Sequence, residues 1–373
     1  MKIALVHDWL PFMGGAERVL SDFIELYPDA PVYTLLCNKS KMEEPIKSAN
    51  IITSKLQKKG KEIENHRKLF PFMPTAIESF DLNEYEVVLS DSSCVAKGVI
   101  TNPSTVHICY CHTPMRYAWE FSFENAQQMV GKHKIIGKFL NYFLTIMRLW
   151  DYSSAARVDY FIANSQHVAK RIRKHYNREA IVINPPVRCN LFNISDVNGD
   201  YFLCVSRLQE YKRVDLAIRA CNQLGLKLKI IGSGPDESKL KKIAGPSIEF
   251  LGRTSDEVMK QCYAECKALL FPGEEDFGIT PLEAQASGRP VIAYGKGGAL
   301  ETVIEGKTGI FFKEQTVDSL VEAIQRFENM SFDKKVLREH AEKFDDEVFK
   351  NKIKKFVDEK VEEYHQNRIF EKR

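Results

Sequence analysis

Short β-branched runs alternate with helix-length amphipathic segments along almost the whole chain, and few folds accept that pattern. Strand-like runs fall at 3–6, 32–35, 87–89, 106–109, 160–163 and 180–183. A second series follows at 201–205, 227–231, 248–250, 268–271, 291–293 and 309–312. Helical patterns lie between them, such as 16–26, where Val19, Leu20, Phe23 and Ile24 share one face, and a long one at 134–156. This alternation predicts an α/β fold of doubly wound, Rossmann-like parallel sheets with helices on both faces. The two series are separated by Asn184-Pro-Pro-Val187 through Asn198-Gly199, whose prolines and polar residues read as a linker. At 373 residues the length also favours two domains. We expect an N-terminal domain at 1–185, a linker at 186–199 and a C-terminal domain at 200–349. The segment 347–373 reads as a charged helix with Val348, Phe349, Ile353, Phe356, Val357 and Val361 on one stripe. Open α/β sheets bind ligands outside the carboxyl ends of their strands, so chemistry is sought in the loops that follow them.

Composition removes several classes. With 44% apolar and 28% charged residues the chain is that of an ordinary globular protein. No apolar run reaches the roughly 18 residues of a membrane span, and Met1-Lys-Ile-Ala-Leu-Val-His7 begins as a strand without a signal-peptide pattern, so a cytoplasmic location is expected. Net charge is only +3, with no zinc-finger, RNP-type or helix-turn-helix signature, which argues against nucleic acid as a partner. The nine cysteines are scattered and odd in number. Cys109 and Cys111 share one strand face while His112 points to the other, so reduced core thiols are expected rather than a metal site.

Glu275-Asp-Phe-Gly-Ile-Thr-Pro-Leu-Glu283 carries the most chemical information. Two carboxylates flank a short loop, and Pro281 suits the first turn of a helix because its missing N–H would be unpaired there anyway. Free N–H groups at such a start, with the positive dipole end, make an anion site. Other loops lie where a ligand would be met. Trp9-Leu-Pro-Phe-Met-Gly14-Gly15 follows a strand and opens a helix, which suits either close approach of a phosphate or a turn needing positive φ. Arg207 and Lys212 follow the strand at 201–205, and a planar donor fork beside a compact charge suits a diphosphate. Neither the first loop nor Gly232-Ser-Gly234-Pro235 has the spacing of a dinucleotide fingerprint.

The stretch from about 201 to 312, with Glu275 to Glu283, Gly297-Gly298, Glu301 and Gly306-Lys-Thr-Gly309, closely resembles the donor half of the retaining glycosyltransferases of the large glycogen-synthase-like family, family 4. The resemblance implies a GT-B fold: two Rossmann-like domains facing a central cleft, with a C-terminal helix, here about 350–373, crossing back to the N-terminal domain. It implies that Gly14, Gly15, Arg207, Lys212, Asp276, Phe277, Gly278, Ile279, Thr280 and Glu283 bind a nucleotide-diphosphate sugar. Glu283 would accept from the ribose hydroxyls, and backbone N–H groups near Ile279 and Thr280 would hold phosphate. Glu275 and His112 would be the catalytic pair, Glu275 on the sugar hydroxyls or the ring charge and His112 near the reacting carbon. Ser206 stands where the family usually has glycine. No Asp-x-Asp occurs in the chain, so no metal and no cofactor are expected.

His112-Thr-Pro-Met-Arg-Tyr-Ala-Trp119 resembles bacterial mannosyltransferases that build O-antigen and exopolysaccharide chains. That implies transfer of mannose from GDP-mannose to a glycan or polyprenyl-diphosphate-linked acceptor, with Arg116, Tyr117 and Trp119 on the acceptor wall. Two basic, aromatic segments suit an anionic membrane surface: Lys55, Lys58, Lys59, Lys61, Arg67 and Lys68 ahead of Phe70, and the run 132–150. A solvated loop and a buried core helix are the alternatives for these two, and a peripheral position on the inner face of the cytoplasmic membrane is the corresponding expectation. A GT-B nucleotide-sugar 2-epimerase, or a non-catalytic nucleotide-sugar-binding subunit, are the competing functions. Oligomeric state is not legible.

Overall fold

A computed structural model describes residues 1–58, 63–120 and 134–371. The chain divides into two compact units, Met1–Ile183 with Lys350–Arg373, and Asn184–Phe349.

The first unit holds a seven-stranded sheet: β1 (Ile3–His7), β2 (Val32–Thr34), β3 (Ile51–Thr53), β4 (Val87–Ser92), β5 (Val106–Cys111), β6 (Tyr160–Ala163) and β7 (Ala180–Val182). The order is β3-β2-β1-β4-β5-β6-β7, with every pairing parallel. All the strands expected from sequence are present. The addition is β3, three half-buried residues paired on one side only.

The second unit holds β8 (Tyr201–Val205), β9 (Lys227–Ile231), β10 (Ile248–Gly252), β11 (Leu269–Phe271), β12 (Val291–Tyr294) and β13 (Gly309–Phe312), in the parallel order β10-β9-β8-β11-β12-β13. Along β8 the side chains alternate between two cores. Phe202 and Cys204 pack with Leu216, Leu228 and Leu320, whereas Tyr201 and Leu203 pack with Tyr263, Leu269 and Leu282. A strand apolar on both faces must be covered on both, which is why these runs are continuous rather than alternating.

Three residues within the stretch expected as linker, Val187, Cys189 and Phe192, are buried in the core of the second unit. Arg289 secures the rest of it, donating to Asn198 Oδ1 (2.8 Å), Val197 O (2.5 Å) and Ser195 O (3.2 Å). The final helix, Asp346–Glu371, gives its residues from Lys350 onward to the first unit. There Ile353 and Val357 are fully buried, Phe356 meets the Tyr160 ring edge-on, and Tyr364 donates to Pro103 O (2.7 Å). Eight of the nine cysteines are buried and all nine are free thiols.

Candidate active site

In each sheet the strand order reverses at one place, beside β1 and β4 in the first and beside β8 and β11 in the second. The loops leaving such neighbouring strands diverge to opposite sides and open a crevice at their carboxyl ends. Gly14 and Gly15 follow β1 at the first of these places, and Arg207, Lys212 and the run from Glu275 to Glu283 follow β8 and β11 at the second, whereas His112 and Arg116–Trp119 follow β5, one strand further along.

In the second unit Arg207 leaves the end of β8, exposed. Its loop is held by backbone pairing beyond the strands, with Ser206 N donating to Ile231 O (3.0 Å) and Leu208 N to Ser233 O (3.1 Å). Glycine is required on the other side of that pairing. A Cβ at Gly232, where φ is +130°, would lie 1.9 Å from Ser206 O, and one at Gly234 would lie 2.1 Å from Leu208 O. Ser206, in place of the family glycine, is accommodated by donating its hydroxyl to Arg207 O (3.1 Å). Arg253 donates to Ser233 Oγ (3.0 Å) on the same loop.

The turn Glu210–Lys212 then meets the loop after β11. Gly273 allows this: its Cβ position is 3.0 Å from Lys212 Cα. Lys212 Nζ forms an ion pair with Glu275 Oε1, both side chains partly exposed. Behind the loop, Gly298 N donates to Glu275 O (2.8 Å), and a Cβ at Gly298 would stand 2.2 Å from Phe277 Cα. The Gly297-Gly298 pair is thus the backing that holds Glu275, Asp276 and Phe277 in place. The Phe277 side chain is buried and its ring packs against Phe344 (5.9 Å between centroids), so only its backbone can face a ligand.

Gly278, at φ +89°, turns the chain into helix Ile279–Ala286 with no side-chain cap. The first N–H groups of a helix have no partner within it. Here Ile279 and Thr280 carry them and Pro281 has none to leave unpaired. Glu283 is buried in the second turn and accepts from Tyr263 Oη (2.7 Å).

In the first unit Gly14 precedes helix Gly15–Leu26, again without a side-chain cap. Its backbone is extended and neither Gly14 nor Gly15 has positive φ, so turn geometry is not the reason for glycine there. A Cβ at Gly14 would fall 2.8 Å from Glu17 Oε2, the mobile end of a side chain that can turn aside. His112 follows β5 and is mostly buried, with Nε2 2.5 Å from Asp91 Oδ1. Asp91 is the penultimate residue of β4 and also faces His7 Nδ1 at 2.8 Å. Nothing in the sequence pattern singled out His7, Glu17 or Asp91. For His7 and Asp91 the available signal was polar residues near the ends of otherwise apolar strand runs, a weak one, and Glu17 lies in the first turn of a helix.

Arg116, Tyr117 and Trp119 lie on the short helix Arg116–Trp119. Arg116 approaches Glu120 at 4.0 Å. Tyr117 is exposed, with Phe70 edge-on against it. Trp119 is immobilised: it stacks on His175 (4.6 Å) and donates Nε1 to Asp151 Oδ2 (2.7 Å), while Asp151 also takes Lys97 and Tyr176. Met115, beside them, is fully buried. Of the two basic segments, residues 59–62 and 132–133, with Lys59, Lys61 and Lys132, lie outside the described residues. The described part of the second is helix Lys134–Ala155, on which Tyr142, Ile146, Leu149 and Tyr152 are exposed.

Residues 192–348 match the family described as Glycosyl transferases group 1, and residues 13–191 match Glycosyltransferase Family 4. The chain is similar to the alpha-1,3/1,6-mannosyltransferase ALG2 of Kluyveromyces lactis, at 25% identity over 82% of this chain and 71% of that one. It is similar to an uncharacterized glycosyltransferase of Methanocaldococcus jannaschii, at 24% identity over 92% and 93%. Among solved structures, Anabaena HepE in complex with UDP superposes with a TM-score of 0.71 at 18% identity, covering 96% of this chain and 100% of that one. Sucrose-phosphate synthase from Thermosynechococcus elongatus gives 0.70 at 15% identity, covering 96% and 99%. With two family matches that together span residues 13–348, and a parallel two-sheet fold shared with these enzymes over nearly its whole length, the chain belongs to the GT-B glycosyltransferases.

Proposed function

We propose that this enzyme is a retaining mannosyltransferase that moves mannose from GDP-mannose to a hydroxyl of a lipid-linked glycan. The observation that carries the donor assignment is the convergence, at one strand-order reversal, of Arg207, the Lys212–Glu275 ion pair and the uncapped start of helix Ile279–Ala286. Fixed positive charge and oriented amides aimed at a departing diphosphate stabilise it without reorganisation at the moment of reaction. In this reading Arg207, Lys212 and the Ile279 and Thr280 amides hold the diphosphate. Glu275 orients Lys212 and accepts from a sugar hydroxyl, and Glu283 serves the ribose. The acceptor oxygen attacks the anomeric carbon on the face the phosphate leaves, so the C–O bond to phosphate breaks as the new one forms. The acceptor's proton passes to the departing phosphate oxygen.

The mannose assignment is supported by the name of the ALG2 relative and by the phrase from His112 to Trp119, whereas HepE was solved with UDP. A thermal-shift panel of nucleotide sugars separates these. A selective ligand at 100 times its Kd stabilises by about 2.7 kcal/mol, so GDP-mannose is expected to raise the melting temperature well above UDP-glucose. The reverse order would overturn the mannose reading. Because fixed cations replace a metal in this proposal, excess EDTA is expected to leave turnover unchanged, and loss of turnover restored by Mg²⁺ would reject that part.

The acceptor reading places the enzyme at an anionic membrane surface. No helix among the described residues is long and apolar enough to cross a bilayer. Supporting adsorption instead, Tyr142, Ile146, Leu149 and Tyr152 recur at helical spacing on one exposed face of helix Lys134–Ala155. Vesicles containing phosphatidylserine are expected to co-sediment the protein at low salt. Leu149→Glu, at a position 63% exposed, is expected to release it with the melting temperature unchanged. No sedimentation of the parent protein would remove the idea.

A further inference from the structure

The carboxyl edge of the first sheet carries a buried, charged chain of side chains that the donor and acceptor assignments do not use. His7 closes β1 and lies beside Asp91 in the register of β4. Its Nδ1 is 2.8 Å from Asp91 Oδ2, and its Nε2 is 3.7 Å from Glu17 Oε1. Asp91 spends its other oxygen on His112 Nε2. His7, Glu17 and Asp91 are all buried, while His112 keeps partial exposure. The Tyr110 ring flanks His112 edge-on at 5.2 Å, and burial pushes its phenol well above the ordinary value, so it stays neutral.

Protonation follows from these contacts. Burial by itself would lower the His7 pKa, but the hydrogen bond to Asp91 and the negative charges of Asp91 and Glu17 outweigh it and raise the value to about 10. Burial would likewise raise Asp91, yet the His112 and His7 contacts hold it below the usual carboxylate range. An ionised carboxylate only accepts hydrogen bonds. Asp91 therefore requires a proton on His112 Nε2, which leaves Nδ1 as the ring's remaining polar atom.

Buried ion networks add little to stability compared with apolar packing of the same volume. A row of four ionisable groups running from the β1–β4 reversal to the end of β5 is thus poorly explained by folding alone. We propose that Glu17, His7 and Asp91 form a positioning relay that sets the ring orientation and the proton position of His112. The proposal rests on the reading of His112 as the group that meets the transferred sugar. Glu17 anchors His7, His7 holds Asp91 charged and oriented, and Asp91 fixes the His112 tautomer. The other nitrogen then meets the substrate in one state rather than two.

The test uses the full-length enzyme and three variants. Asp91→Asn is isosteric and removes the acceptor-only character, so His112 is free to adopt the other tautomer. It is expected to lower kcat by about ten- to a hundredfold, the usual size for losing a partner that orients a functional histidine, with KM for the nucleotide sugar nearly unchanged. In ¹⁵N-histidine spectra the His112 signals should move from the Nε2–H pattern toward the Nδ1–H pattern. His7→Gln keeps one donor to Asp91 and should give a smaller change in the same direction. His112→Ala tests the underlying reading. If it lowers kcat while Asp91→Asn changes neither kcat nor the His112 nitrogen pattern, the relay is overturned and the reading stands. If His112→Ala leaves kcat unchanged, both fall. Should Asp91→Asn fail to fold, the spectrum of the parent decides: a Nδ1–H pattern at His112 overturns the relay and a Nε2–H pattern supports it.

Discussion

Lys212→Ala is expected to lower kcat/KM for sugar transfer by about 10²- to 10³-fold, the size of effect seen when one preorganised donor to a developing anion is removed, about 2.7–4 kcal/mol. Lys212 is part of a turn held against Gly273, and its ammonium is fixed by Glu275. The variant removes both the proposed diphosphate partner and the partner of the Glu275 carboxylate. Both side chains are partly exposed, so the fold should survive. Glu275→Gln keeps the shape and removes the charge, and is expected to depress kcat more than donor affinity. Lys227→Ala provides the control. It breaks an ion pair with Asp200 between two well-exposed side chains, and exposed pairs of that kind contribute about 0–1 kcal/mol. Steady-state transfer assays with circular dichroism on each variant decide the matter. Wild-type turnover in both Lys212→Ala and Glu275→Gln would reject the site.

Gly232→Ala is expected to be among the most damaging single-methyl changes in the second unit. The backbone there has φ +130°, and the added Cβ would sit 1.9 Å from Ser206 O. Neither atom belongs to a flexible side-chain end, so the loop carrying Arg207 must move. Strain at such a φ costs on the order of 1–3 kcal/mol, and relieving the clash adds to it. A melting-temperature drop of roughly 2–4 °C per kcal/mol is expected for a unit of this size. Weaker nucleotide-sugar binding should accompany it because Arg207 is displaced. Gly225→Ala separates strain from contact. Its φ is +66° with nothing within 4 Å of the added Cβ, so it should cost stability and leave donor affinity unchanged. Equal donor affinity in both variants would break the link between Gly232 and the Arg207 loop.

The fold was legible because its information is local. Buried parallel strands are continuous β-branched runs bounded by turns, and twelve such runs reappear as strands here. Among the described residues the edge strand Ile51–Thr53 escaped. The motif from Glu275 to Glu283 was legible for a similar reason, since loop, Gly278 turn and helix start are consecutive in sequence. Other features read less well. Gly14 suggested either ligand approach or positive φ, and its extended backbone removes the second. Phe277 stands inside the motif, but its ring belongs to the core. Gly232 and Gly234 fit no phosphate fingerprint, and their purpose appears only when Ser206 and Leu208 lie against them.

Sequence by itself determined the two α/β series, the break between them and the donor-type motif, because hydrophobic period and turn chemistry act between near neighbours. Tertiary structure alone decided the pairings across long separations: Lys212 with Glu275, the glycine pairs that seat both loops, and His7 with Asp91, 84 residues apart. Such contacts depend on strand order and register, which place distant strand ends side by side. No local pattern encodes which polar residues will meet there.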